Sequence, residues 1–196
     1  FKIAKRYDQP LSLLMIDATE GPTDQDARLA QLVIDRGRAL ILLINKWDLV
    51  KNIEEINSHT TEDALEHKLP HASWATRLFI SAKTGKGVHR IIPAVEDSFA
   101  SFNTRIPTPT LNRWLNRILQ AHTPPQKHHH PVRLYYMTQN RVRPPTFLYF
   151  SNTPEGVTTA YKRYLANQLR ESYGFAGTPL RSNFKKRRTM GEDPTS

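Results

Sequence analysis

Apolar and polar positions follow two alternating periods along the first hundred residues. Leu11-Ser12-Leu13-Leu14-Met15-Ile16-Asp17 is a short, nearly continuous apolar run, the pattern of a strand buried on both faces. Glu20-Gly21-Pro22-Thr23-Asp24 is a turn leading into a helix, with Thr23 or Asp24 as the candidate cap. Leu29, Leu32, Val33 and Arg36 then recur at helical spacing until Gly37 closes the helix. Residues 39–44 form a second apolar strand, 54–68 are polar with helical character, and Leu78-Phe79-Ile80 makes a third strand. Residues 88–102 read as a further helix, with Val88, Ile91, Ile92, Val95 and Phe99 on one side. This alternation of strand and helix predicts a parallel sheet covered by helices.

The pattern changes after residues 104–109, where Pro107 and Pro109 mark a boundary. Residues 110–121 form a helix carrying Leu111, Trp114, Leu115, Ile118 and Leu119, and 123–131 a loop. Residues 132–137 alternate, 147–150 are a second strand, and Pro144-Pro145 marks the turn between them. A helix at 155–173 and a strand at 178–184 complete an α-β-β-α-β order. The expected organisation is a first domain over 1–104, a second over 105–187 and a basic, then polar, disordered tail over 188–196.

Charge sharpens this division. The net charge is +10, yet residues 1–106 carry 14 Lys/Arg against 14 Asp/Glu, whereas residues 107–196 carry 14 Lys/Arg against Glu155, Glu171, Glu192 and Asp193. The whole excess lies in the second half, as expected of a polyanion-binding module attached to a neutral one. Nucleic acid is the better partner than membrane, because no amphipathic helix with an apolar face and basic flanks stands out. No apolar run approaches the roughly 20 residues that span a bilayer. With no cysteine, neither a disulfide framework nor a zinc ribbon is available. The sequence opens on Phe1 with no secretory signal, so the expectation is a cytoplasmic protein truncated or processed at its N-terminus, and monomeric.

Two loops carry candidate chemistry. Asn45-Lys46-Trp47-Asp48 directly follows the second strand, and ligand groups in such sheets sit past the carboxyl ends of strands. An aspartate there can accept two hydrogen bonds from the N–H edge of guanine, which adenine cannot supply. Lys46 can lay its stem over the purine face, and Asn45 can tie two loops together. Ser81-Ala82-Lys83 follows the third strand, 33 residues after Asp48, and brings a backbone N–H and a lysine stem to the same base. Gly85 and Gly87 then permit a tight turn into the next helix. The alternative for either loop alone is a strand-end turn with solvated charge; their order on consecutive strands favours base recognition.

These loops resemble the fourth and fifth motifs of Ras-like P-loop GTPases. More narrowly, residues 17–26 (DATEGPTDQD) with Asn45-Lys46-Trp47-Asp48-Leu49-Val50 look like the second G domain of the Der (EngA) family. That family has two G domains in tandem followed by a KH-like domain. Pro144-Pro145-Thr146-Phe147, Tyr161-Lys162-Arg163-Tyr164-Leu165 and Gly177-Thr178-Pro179-Leu180-Arg181 extend the resemblance through the second half. It implies an α/β fold, a partial Ras-like parallel sheet with helices, followed by an α+β KH-like domain. It also implies GTP or GDP as ligand, Mg²⁺ in the complete protein, and a role in large ribosomal subunit assembly with ribosomal RNA as partner. Nothing in the 196 residues matches G-x-x-x-x-G-K-[ST], and no D-x-x-G precedes the first strand, so no catalytic residue is assigned. The chain alone is therefore expected to bind GTP weakly or not at all and not to hydrolyse it. In the Ras-like order a P-loop strand would pair with residues 11–17, so a fragment of residues 1–104 is expected to be unstable. A rival reading is a non-catalytic RNA- or ribosome-binding protein that has lost its nucleotide engine.

In the second half, Lys162, Arg163, Asn167 and Arg170 fall on one helix face, and Arg181 with Lys185, Lys186, Arg187 and Arg188 adds charge. These residues are the candidate RNA-facing set, against the plainer alternative of a solvated face and a loose tail. Gly174-Phe175-Ala176-Gly177 has the spelling of the G-x-x-G clamp of KH modules, but a helix-ending glycine explains it better. His128-His129-His130 lacks the fixed geometry and partner ligands of a metal site.

Overall fold

The computed structural model describes residues 10–50, 56–126 and 130–187. The tail at 188–196, along with His128 and His129, lies outside the described residues. The chain forms two compact units, one of Phe1–Thr104 with Phe175–Pro179 and one of Arg105–Gly174 with Leu180–Ser196.

The first unit is a three-stranded parallel sheet in the order β1-β2-β3, with β1 at Leu11–Asp17, β2 at Ala39–Asn45 and β3 at Thr76–Phe79. Helix α1, Asp24–Asp35, is started by a capping box in which Thr23 accepts from the Asp26 N–H and Asp26 accepts from the Thr23 N–H. The short helix α2, Trp47–Val50, follows β2, and α3, Ser58–Lys68, is capped in the same way by Asn57 and Thr60. Helix α4, Ile91–Asn103, closes the series. Every residue of β2 from Ala39 to Ile44 is buried, because its two faces belong to two cores. Leu40, Leu42 and Ile44 pack with Ile16, Ala30 and Leu65, and Ile41 and Leu43 with Leu78, Ile80 and Ala94. Full burial of each such side chain contributes about 1.5–3 kcal/mol.

Strand β1 departs from the two-faced burial that its sequence predicts. Leu14 and Ile16 join the first core, but on the other face only Leu11 packs beneath α4. Leu13 and Met15 are 46% and 54% exposed. Among the described residues β1 pairs with β2 alone.

The second unit runs α5 (Thr108–Ala121), β4 (Leu134–Val142), β5 (Pro145–Ser151), α6 (Thr159–Tyr173) and β6 (Arg181–Lys186). Its sheet has the order β4-β5-β6, with β4 antiparallel and β6 parallel to β5. Met137, Phe147 and Tyr149 are fully buried on one face of this sheet, together with Leu111, Trp114, Leu115, Leu165 and Leu169 from the helices. Polar bonds fix the helices: Asn112 on α5 bonds the Met137 N–H and carbonyl, Trp114 Nε1 donates to Ser172 Oγ on α6, and the Tyr161 hydroxyl donates to the His122 carbonyl. The α-β-β-α-β order stands. Helix α6 begins at Thr159 rather than 155, because Pro154–Gly156 form a separate 3₁₀ turn and Thr158 caps the helix.

The sequence reading keeps residues 175–179 with the second domain, whereas in the structure they pack within the first unit. The Leu40 N–H donates to the Gly177 carbonyl at 2.8 Å, beside the start of β3 on the ladder of β2. Thr178 Oγ1 donates to the Ser98 carbonyl at 3.3 Å. Gly177 has φ +61, and a Cβ there would lie 2.5 Å from Ser98 Oγ, 3.0 Å from Thr76 Oγ1 and 3.3 Å from the Leu40 carbonyl. Gly177→Ala should therefore destabilise the chain by about 2–4 kcal/mol, the sum of a left-handed alanine and an overpacked core. Gly21→Ala, at φ +72 with nothing within 4 Å, supplies the control for backbone strain alone. Urea melts that give the two variants equal losses would show that the close packing of Gly177 contributes nothing.

Candidate functional site

The carboxyl ends of the three parallel strands in the first unit lie side by side, since Asp17 is in register with Asn45 and Ile44 with Phe79. Asn45 is the last residue of β2 and bonds in three directions. Its carbonyl accepts from the Ala18 N–H at 2.9 Å, and its side-chain Oδ1 accepts from the Ala82 N–H at 2.9 Å. Its Nδ2 donates to Met15 Sδ at 3.4 Å. Lys46 then takes a left-handed conformation, φ 61, which reverses the chain into α2. The Trp47 N–H donates to the Ile80 carbonyl at 3.1 Å, a second link between the loops, and the Trp47 ring packs against Phe79 at 4.5 Å.

The Ser81-Ala82-Lys83 loop folds on itself. Ser81 is fully buried; its N–H donates to the Lys86 carbonyl, and its carbonyl accepts from the Gly85 N–H, both at 2.9 Å. Ser81 Oγ accepts from the Thr84 N–H at 3.1 Å. The nearby Ser81 hydroxyl holds the Asp48 carboxyl below the ordinary aspartate range, with the charge of Lys83 as a smaller contribution. Gly87 carries the loop back over β3 at φ +77, where a Cβ would meet the Phe79 carbonyl at 2.6 Å. No side chain larger than hydrogen fits there.

Lys46 does not extend freely into solvent. Its Nζ lies 2.5 Å from Asp17 Oδ2, with half of the lysine side chain exposed. Asp17 Oδ1 also accepts from the Thr19 N–H and hydroxyl at 2.9 and 2.7 Å. The Lys46 hydrogen bond, followed by that of Thr19, pulls the Asp17 pKa from 3.8 down to about 2. This pairing is absent from the sequence reading. The register of Asp17 with Asn45 was the available signal, because adjacent parallel strand ends bring their following residues together.

The arrangement thus presents an ionised carboxylate just past a strand end, near a buried hydroxyl, with a lysine preceding Asp48 and a second on the cross-linked loop. Such a group can accept two N–H donors from one edge of a planar base. Among the described residues no cluster of three His, Cys, Asp or Glu could hold a metal ion.

The candidate cations of the second unit are not gathered on one surface. Arg163 is exposed, but Lys162 is half-buried with Nζ 5.2 Å above the Phe184 ring. Arg170 is also half-buried, and desolvation pulls its pKa down to about 10. Arg181 and Lys185 are exposed and pair with Thr146 and Phe150 on the outer face of the sheet. Lys186 pairs with Ser151 on the helix-bearing face, while Arg188 lies outside the described residues. Gly174-Phe175-Ala176-Gly177 is split between the two units, with Gly174 ending α6.

Comparison with known proteins identifies both units. Residues 8–101 match a family model described as the elongation factor Tu GTP binding domain, and residues 105–185 one described as the KH-domain-like region of EngA bacterial GTPase enzymes, C-terminal. The class is therefore an α/β domain of the type found in elongation factor Tu joined to an EngA-type KH-like domain. The chain is 42% identical over 183 residues to "GTPase Der" of Caldanaerobacter subterraneus subsp. tengcongensis, covering 93% of this chain and 41% of that protein. It is 42% identical over 175 residues to "GTPase Der" of Syntrophotalea carbinolica, covering 89% of this chain and 40% of that protein. A third protein of that name, from Mycobacterium bovis, is 41% identical over 177 residues, or 90% of this chain and 37% of its own length. The chain belongs to the Der (EngA) family and spans about 40% of the length of these relatives.

The Asp17–Lys46 pair gives this site a pH signature. Because the folded pKa of Asp17 is depressed, its stabilising contribution is complete above about 3.8 and is lost as the pH falls through about 2. Carboxyl NMR titration should find the Asp17 midpoint near 2, and Lys46→Gln should return it towards 3.8. A midpoint unmoved by that substitution would contradict the pairing.

Proposed function

We propose that this chain supplies the guanine-reading part of a GTP-binding protein which, at the length of its relatives, hydrolyses GTP and acts in assembly of the large ribosomal subunit. The observation that carries this reading is the hydrogen bond from the Ala82 N–H to Asn45 Oδ1, which joins the two loops that hold Asp48 and Ser81. In this reading Asp48 accepts from N1–H and the exocyclic N–H₂ of guanine. The stems of Lys46 and Lys83 flank the purine, and an N–H of the Ser81-Ala82-Lys83 loop reaches the guanine carbonyl. Adenine offers no matching pair of donors on that edge. Asp17 is engaged with Lys46 and Thr19, so it is not assigned to Mg²⁺. Phosphate binding and Mg²⁺ coordination are functions we assign to other parts of the complete protein, and by itself the chain would hold only the base.

The second unit, in the same reading, contacts ribosomal RNA. Its support is the net charge of +10 confined to residues 107–196. Arg163, Arg181, Lys185 and Lys186 are the exposed cations proposed to meet phosphate, with Lys162 and Arg170 as partly buried members of the set.

Base specificity tests the first assignment. In a protein of the relatives' full length carrying this sequence, Asp48→Asn should weaken GTP binding by about 10- to 100-fold, the scale of a hydrogen bond to a charged group. The amide presents one acceptor and one mismatched donor, so xanthosine triphosphate should gain correspondingly. Competition binding that finds the preference for GTP unchanged would refute the role given to Asp48.

A further inference from the structure

The sheet of the second unit has one face buried beneath α5 and α6 and one outer face whose composition is unlike a core. Strand register sorts the residues. Met137, Phe147 and Tyr149 point inward and are fully buried. On the outer face Tyr136, Phe150 and Lys185 form one cross-strand row, with Asn183 on β6 two residues before Lys185. At the far end Arg141 and Arg181 flank Thr146 from the two neighbouring strands. Tyr136 is 39% exposed, and its ring stacks on Phe150 with centroids 4.2 Å apart and planes 17° from parallel. Tyr135, displaced by the irregularity between Leu134 and Tyr136, is also 39% exposed, and the Arg187 guanidinium lies 5.0 Å above its ring.

Three features of this face belong together. A tyrosine exposed on an ordered strand and pre-stacked on a second ring offers a flat, rigid π surface at little entropic cost. Cations stand at both ends, about 13 Å apart along β5 at about 3.3 Å per residue, a span of a few nucleotides. None of the three strands contains an aspartate or glutamate. Between the two ends lies the cross-strand row Thr138, Leu148 and Asn183. A protein interface also uses aromatics and arginine, but cations at both ends of strands that hold no carboxylate fit a polyanion, with the aromatic pair meeting its unpaired bases. Duplex RNA hides its base faces and cannot use such a platform.

We propose that the outer face of the β4-β5-β6 sheet binds single-stranded RNA, with a base stacked on Tyr136 and flanking phosphates on Lys185 and on Arg141 with Arg181. The proposal rests on the reading that the second unit contacts RNA and narrows it to one face and to unpaired nucleotides. It also separates Arg181 and Lys185 from Lys162, Arg163 and Arg170, which lie on the helix.

The test titrates the 196-residue chain with a fluorescein-labelled single-stranded RNA of about 12 nucleotides, the same strand annealed as a duplex, and its DNA equivalent. Single strands should bind at least about tenfold more tightly than the duplex, and RNA at least as well as DNA. Tyr136→Ala should weaken binding roughly tenfold, the scale of one lost base stack, leaving the salt dependence unchanged. Tyr136→Phe should retain it. Arg181→Ala with Lys185→Ala should instead lower the salt slope by about 1.4. Binding intact in Tyr136→Ala but lost in Arg163→Ala would overturn the sheet-face site and leave RNA contact standing. No binding of any RNA at low salt would remove both. Loss of chain self-association on Tyr136→Ala, with RNA binding unchanged, would make the face a protein interface and also overturn the proposal. Should Tyr136→Ala fail to fold, cross-linking of wild-type chain to 4-thiouridine RNA decides. Adducts within β4 or β5 support the site, and adducts confined to α6 contradict it.

Discussion

Asn45 ends the central strand of the first unit and is bonded to both neighbours at once. Its carbonyl takes the Ala18 N–H beyond β1, and its side chain takes the Ala82 N–H beyond β3. Parallel register brings the three strand ends level, but backbone ladders stop there, and loops past a sheet edge are otherwise free to diverge. One amide side chain of the right length extends the order of the sheet into both loops. Asp48 can then meet Ser81, and Lys46 can meet Asp17 across the gap between β2 and β1. Removing the cross-link would leave each of these pairings to local turn chemistry alone.

Much of this was legible in the sequence because it is local. The apolar runs of β1 and β2, the helical spacing of α1 and the capping Thr23 follow from periods of two and 3.6 and from short-range donors and acceptors. The two loops stood out because their spelling is specific, and the structure bonds one to the other. What periodicity does not carry is pairing at long range. Residues 175–179 contain nothing to announce that the Gly177 carbonyl meets Leu40, some 137 positions earlier in the chain. Nor could the one-sided burial of β1 be read from an apolar run, since exposure of Leu13 and Met15 depends on where α4 lies.

The second unit shows the same limit from the side of charge. Counting cations located the basic half but treated helix and strand residues as one set. Register and burial divide them: Lys162 lies over Phe184, Arg170 is desolvated among its neighbours, and Arg181 and Lys185 share the outer sheet face with Tyr136 and Phe150. A cation's value to a nucleic-acid surface depends on the face its strand or helix turns outward, and alternation along β4 through an irregular register hides that from sequence.

The order of the two loops depends most on Asn45 as the clamp between them, and amide hydrogen exchange reports it at a single site. In the 196-residue chain the Ala82 N–H should be protected, and Asn45→Ala should abolish that protection while leaving the β2 amides as slow as before. An Ala82 amide that exchanges equally slowly in both proteins would contradict the clamp and, with it, the placement of Asp48.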